Sequence, residues 1–117
     1  MRKQKIFFWP KARQDVIEIR RYIAEDNPEA AEEFHGVFQK TCAALLDLPE
    51  MGSARNFGNP ELHGLRMLLI PKFKKYLMFY LNNDDGLEIV RVIHGAQDIP
   101  ALFMEWQAKR EEDREAA

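Results

Sequence analysis

The chain lacks a second cysteine. Cys42 stands alone, so no internal disulfide can form, and a single thiol fits a reducing compartment. It also lacks any apolar run near the roughly 20 residues that a membrane span needs. The N-terminal stretch MRKQKIFFWP begins with charge, but its apolar run is only Ile6–Trp9 and stops at Pro10. That is short of the roughly 7–15 residues of a signal-peptide core. Neither sign of charge dominates: 17 Lys and Arg against 19 Asp and Glu leave −2. Nothing therefore draws the whole chain to nucleic acid or an anionic membrane, and such contact needs a local basic patch. His35, His63 and His94 have no close ligand spacing, so neither a metal site nor a cofactor is expected. Internal repeats and low-complexity segments are missing too. These absences leave a cytoplasmic globular protein as the expectation.

What is present is centred on Leu65–Gly95. Three apolar, β-branched or aromatic runs follow one another: Arg66–Ile70, Tyr76–Leu81 and Leu87–Ile93. Pro, Lys, Asn, Asp and Gly fill the breaks, the punctuation of an antiparallel meander. Asn82-Asn83-Asp84-Asp85-Gly86 tolerates left-handed backbone angles and reads as a hairpin loop, longer than the two-residue form.

Helices precede the meander. Lys5–Trp9 is a short strand candidate closed by Pro10, whose fixed φ suits a first helical turn. Ala12, Val16, Ile19 and Ile23 then form one apolar stripe, with Arg13, Glu18, Arg20, Arg21 and Glu25 largely off it. Asp26-Asn27-Pro28 ends that helix, because a residue before proline is pushed out of helical angles. Asn27 is a good N-cap for the next helix and Pro28 a good first residue. Glu29, Glu32 and Glu33 sit near its positive end. Phe34, Phe38, Cys42 and Leu45 make its stripe, widened by Val37, Thr41 and Leu46, until Leu48-Pro49 stops it. So short a joint predicts an antiparallel helix hairpin.

Pro49–His63 reads as a loop of about fifteen residues, longer than most connections, and such loops are often functional. After the meander, Asp98 can cap a final short helix with Ile99, Leu102, Phe103 and Trp106 on its apolar side. The charged stretch Lys109–Glu115 predicts a frayed end. One domain is expected over residues 1–117, with its core in about 5–106 and a charged tail at 107–117. The fold class is α+β: an N-terminal strand and a helical hairpin packed on an antiparallel β-meander, then a short C-terminal helix.

Five fragments carry more than fold. Asp26-Asn27-Pro28-Glu29-Ala30-Ala31, Leu48-Pro49-Glu50-Met51-Gly52 with Arg55, and Gly64-Leu65-Arg66 are three of them. Tyr76-Leu77-Met78-Phe79-Tyr80 and Arg91–Asp98 complete the set. In this order, over roughly Ile6 to Phe103, they resemble the ParE branch of the ParE/RelE toxin superfamily. The resemblance implies the toxin of a bacterial type II toxin–antitoxin module, a small cytoplasmic protein neutralised by a co-expressed, ParD-like antitoxin in a hetero-oligomer. ParE-like members act on DNA gyrase and RelE-like members cut mRNA on the ribosome; one fold serves both, so fold alone does not choose.

RNA cleavage through the 2′-hydroxyl needs a base, an acid and positive groups on the phosphate. The RelE-like branch has an arginine after the tyrosine that opens the middle meander strand; here Tyr76 is followed by Leu77. It has another just past the glycine that closes the last strand; here Gly95 is followed by Ala96 and Gln97. The resemblance therefore favours a gyrase-binding toxin without catalytic residues. The alternatives are a ribosome-dependent endoribonuclease and a degenerate member that only binds its antitoxin. In the endoribonuclease His94 is the acid or base and Arg66, Lys72, Lys74 and Arg91 hold phosphate.

Arg55, Arg66, Lys72, Lys74, Lys75, Arg91 and His94 form the candidate target-facing set. Direct sequence-specific DNA reading is not expected, since no nucleic-acid motif is present. Val16, Ile19, Ile23, Phe34 and Phe38 supply core and the rim of an antitoxin groove. Each assignment has a plainer counterpart. His94 at a strand end bonds the backbone and sets the next turn. The lysines solvate a turn and discourage edge pairing. Met51-Gly52 with Arg55 anchors a loop, and Cys42 is a buried small hydrophobe. Phe7, Phe8, Trp9, Phe57, Phe103 and Trp106 either complete the core or leave apolar patches for a partner.

Overall fold

A computed structural model describes residues 5–97 and 99–102. Strand β1 (Ile6–Phe8) leads directly into helix α1 (Pro10–Asp26), and α2 (Pro28–Asp47) follows. Pro10 and Pro28 occupy first-turn positions, where a missing N–H costs nothing. Asn27 ends α1 and starts α2: its N–H reaches the Ile23 carbonyl at 2.9 Å, and its side chain accepts from Ala30 N–H at 3.1 Å. One residue thus satisfies groups at both helix ends and holds the hairpin as expected.

The loop after α2 is more ordered than its composition suggests. It contains β2 (Ser53–Ala54) and a single 3-10 turn over Pro60–Leu62, started by the Asn59 side chain on Glu61 N–H. The meander follows as β3 (Arg66–Ile70), β4 (Phe73–Asn83) and β5 (Gly86–His94). Both of its turns are tighter than the residue pattern predicts. β3 and β4 are joined by Pro71-Lys72 alone, with Lys72 at φ 67° where a type II turn usually takes glycine. Lys74 and Lys75 are therefore strand residues rather than turn residues. The second loop shrinks to Asp84-Asp85, because Asn83 pairs with Gly86 and its side chain accepts from the Asp85 and Gly86 N–H groups at 3.2 Å.

The five strands run in the order β1-β5-β4-β3-β2. All neighbours are antiparallel except β1 and β5, which are parallel and register Ile6 on Leu87. The long connection this parallel pair requires is the helix hairpin followed by the loop and β2–β4, which bring the chain back across the sheet to β5. A Cβ on Gly86 would meet the Lys5 carbonyl oxygen at 2.2 Å, so glycine is what lets β1 approach there.

The helices cover the face bearing Tyr76, Met78 and Tyr80. The Phe34 ring lies 5.8 Å from Tyr76 and 5.2 Å from Phe73, both edge-on. Burying Phe34 completely is worth roughly 1.5–3 kcal/mol. The opposite face bears Leu77, Phe79 and Leu81, also buried, and the loop covers part of it through Phe57, 6.1 Å from Phe79. Burial on both faces explains why Leu77–Leu81 is one apolar run instead of an alternating one. Ile99 and Leu102 pack against the core, as expected of the segment after the meander. Asp98, Phe103, Trp106 and the charged tail lie outside the described residues.

β5 carries a bulge. Phe79 faces Arg91 but Tyr80 faces Ile89, leaving Val90 as the extra residue. Ile89 and Arg91 are two apart yet lie on opposite faces of the sheet. Simple alternation from the start of the strand misplaces everything after Val90.

Candidate functional site: a groove between α1 and the end of β5

β1 is too short to run alongside all of β5. Its hydrogen bonding ends with Trp9 N–H on the Ile89 carbonyl at 3.0 Å, and the chain then turns into α1. Past that point an α1 side chain takes the place of a strand. Asp15 accepts from Val92 N–H at 3.1 Å and from Arg91 at 2.6 Å (Nε) and 3.0 Å (Nη2). Both partners are buried. A bidentate pair of this kind fixes orientation as well as charge.

Above this pair opens a cavity of about 790 Å³. Lys11, Glu18, Ile19 and Tyr22 line it from α1, Lys75, Tyr76 and His94 from the sheet, and Leu102 from the segment beyond. Tyr22 is 66% exposed and stands at the mouth. Burial, then the neighbouring Tyr22, pushes the Tyr76 phenol above its ordinary value, which keeps it neutral. Lys11 and Lys75 form no ion pair among the described residues.

His94 makes the contact expected of a strand-end histidine: its Nδ1 accepts from Ala96 N–H at 3.0 Å. A neutral ring with Nδ1 so occupied carries its proton on Nε2. It then offers a donor to the groove and no free basic nitrogen. The Tyr76 ring meets it edge-on at 5.4 Å.

The other candidates are scattered. Arg91 is a correction to the target-facing set: it is 6% exposed and committed to the buried Asp15 of α1. Arg66 lies near the far edge of the sheet and donates to the Gly52 carbonyl at 2.6 Å and the Glu50 carbonyl at 3.2 Å. Lys72 reaches Glu33 at 3.6 Å in an exposed pair. Arg55 and Lys74 are exposed; the Arg55 guanidinium donates to the adjacent Ala54 carbonyl and its backbone N–H to the Leu65 carbonyl. Of the antitoxin set, Phe34 and Phe38 lie wholly inside the core, while Ile19 reaches the groove and Val16 and Ile23 are half-buried.

The loop anchor is real but uses other partners than the motif suggests. Gly52 N–H donates to the Tyr80 hydroxyl at 2.8 Å, and that hydroxyl donates to the Pro49 carbonyl at 2.9 Å. The arginine holding the loop is Arg66, not Arg55. Cys42 is a buried hydrophobe whose thiol burial pushes up to about 12, so it is inert near neutrality. Asp15 is the residue that reading by apolar periodicity misses. The signal was present: a carboxylate three residues after Ala12 and four before Ile19 sits on the buried stripe and needs a partner.

Among the described residues, no group of three potential metal ligands comes together, and no helix is long and apolar enough to cross a membrane. A helix hairpin packed on a five-stranded sheet with an antiparallel meander is the architecture of the small ParE/RelE-like α+β proteins. Within that class the assignment is specific. The family model for "ParE toxin of type II toxin-antitoxin system, parDE" matches residues 6–99, and the chain belongs to that family. No curated protein matches it. Among solved structures, a chain of the chromosomal ParDE TA system from P. aeruginosa is similar with a TM-score of 0.62 and 17% identity, over 78% of this chain and 95% of that one. At such identity the likeness speaks for the fold.

Proposed function

We propose that this chain is the toxin of a type II toxin–antitoxin module, that it inhibits DNA gyrase by binding, and that a cognate antitoxin neutralises it. The observation that carries the reading is the family match across the entire described sheet and hairpin. The solved relative named for a ParDE system supports an antitoxin as partner.

Side-chain geometry favours binding over RNA cleavage. Phosphate chemistry needs convergent cations and a free base. Here Arg91 is tied to Asp15, Arg66 to loop carbonyls, and His94 Nδ1 to Ala96 N–H. Arg55, Lys74 and Lys75 remain as exposed cations for a protein target, with His94 Nε2–H beside Lys75.

The test is a gyrase supercoiling assay with antitoxin-free protein and a readout for trapped cleaved DNA. Inhibition with cleaved DNA accumulating is expected. Unaffected gyrase at large excess of folded protein would sink the reading. Ribosome-bound mRNA cleavage would then be assayed, with His94→Ala and Arg66→Ala as the first variants.

A further inference from the structure

Helix α1 presents one strip of side chains to solvent. Gln14, Glu18, Arg21 and Glu25 follow at steps of four, three and four residues, the spacing that lines side chains up on one side of a helix, and all four are exposed. Arg21 and Glu25 have no ion-pair partner among the described residues, and Glu18 has only the Gln14 amide, which donates to it at 3.1 Å. Ile17 stands beside the strip, 52% exposed. It borders a cleft of about 380 Å³ between α1 and α2, lined further by Ala24, Pro28 and Ala31, and by Arg20 paired with Glu32 at 3.4 Å.

The strip is its own complement. A second α1 can be laid antiparallel against the first about a two-fold axis that passes between Ile19 and Arg20. Glu18 then meets the partner's Arg21, Arg21 meets the partner's Glu18, and Gln14 meets the partner's Glu25, each contact made twice by symmetry. Such an axis sets the same flank of both helices together. Each Ile17 therefore faces the Arg20–Ala24 stretch of the other copy, at the mouth of its α1–α2 cleft. Neighbouring registers fail on charge: a shift of three residues sets Arg21 against Arg21 in one direction and Glu18 against Glu18 in the other.

We propose that this chain self-associates as a two-fold dimer through α1, the partner being a second copy of itself. Charge order selects the register, and the Ile17 side chains supply the apolar contact. One helix pair makes a narrow seam whose charges stay near water, so the dimer is reversible and set by concentration. Self-association of this kind does not depend on the toxin reading.

The experiment is sedimentation velocity of the full chain, purified free of any bound partner, in a dilution series reaching about 1 mM. The wild type is expected to pass from monomer to dimer. Glu18→Arg and Arg21→Glu each turn both ion pairs into like-charge contacts, and each should raise the dissociation constant about tenfold or more. Combining the two restores opposite charges and should return the constant to within about threefold of the wild type. An equimolar mixture of the two single variants regains the pairs between unlike copies and should dimerise where neither does alone. Ile17→Ala should weaken the dimer as well. All these positions are exposed, and circular dichroism and a thermal melt confirm folding. A wild type that stays monomeric, or a dimer that both charge reversals leave intact, would overturn the proposal. So would a double variant and a mixture that associate no better than the single variants.

Discussion

The two flanks of the sheet meet the same difficulty with different chemistry. On the α1 side, β5 outruns β1, and a buried carboxylate takes the Val92 N–H and the Arg91 guanidinium. On the loop side, β2 covers only two residues of β3, and a buried phenol and a half-buried arginine hold the adjoining loop through its backbone. In each case a side chain replaces a strand that the chain does not supply. One flank relies on a desolvated ion pair, the other mainly on neutral hydrogen bonds. Breaking one partner of a buried ion pair leaves an uncompensated charge, whereas a lost neutral bond leaves a weaker debt of solvation. The α1 flank should therefore be the more brittle, and it is also the flank that forms the groove.

The strongest test is Asp15→Ala. It strands Arg91 at 6% exposure, and about 3–5 kcal/mol of stability should be lost. That is a large share of the roughly 5–15 kcal/mol of an ordinary domain. Urea denaturation measures it. The double variant Asp15→Leu, Arg91→Met should recover much of the loss, since well-packed apolar replacements of buried pairs are often neutral. If the single and double variants are equally unstable, the ion pair is not what makes this flank brittle.

The loop flank is probed by Gly52→Ala and Tyr80→Phe. A Cβ at Gly52 would sit 2.7 Å from the Tyr80 hydroxyl and 2.9 Å from the Met67 carbonyl oxygen. Tyr80 is fully buried and cannot swing away, so about 1–3 kcal/mol should be lost by overpacking. Tyr80→Phe keeps the ring and leaves Gly52 N–H and the Pro49 carbonyl unpartnered. A loss of about 1–2 kcal/mol is expected, below that of Asp15→Ala. Thermal melts of the three variants side by side rank the flanks; a Tyr80→Phe loss exceeding that of Asp15→Ala would reverse the comparison.

Much of the architecture was legible because it rests on local rules. Pro10, Asn27 and Pro28 bound the helices by φ restriction and capping, and the apolar runs mark the meander strands. What was hidden depends on pairing across the chain. The bulge at Val90 inverts the face of Arg91, and nothing in the order Ile89-Val90-Arg91 announces it. The tight turns at Pro71-Lys72 and Asp84-Asp85 arise because pairing extends the strands into residues whose composition reads as loop. The parallel place of β1 beside β5 depends on the length of the crossover. Among the candidates, the exposed lysines and the turn-setting role of His94 were readable from type and position. The burial of Arg91 was not, since its partner lies 76 residues away.

The smallest effect expected is at Lys72, and its smallness is useful. Its left-handed φ costs a lysine about 1 kcal/mol, which glycine would not incur. Lys72→Gly gives back about 0.5–1 kcal/mol through the freer unfolded chain. It also loses an ion pair with Glu33 whose side chains are 70% and 52% exposed, worth little in water. The sum should lie within about 0.5 kcal/mol of zero, as read from the urea midpoint. A loss well beyond 1 kcal/mol would mean that the turn depends on its lysine. If the fold is indeed indifferent, any change Lys72→Gly makes to the proposed gyrase inhibition belongs to the contact surface, separating binding from stability at a turn where the two are least entangled.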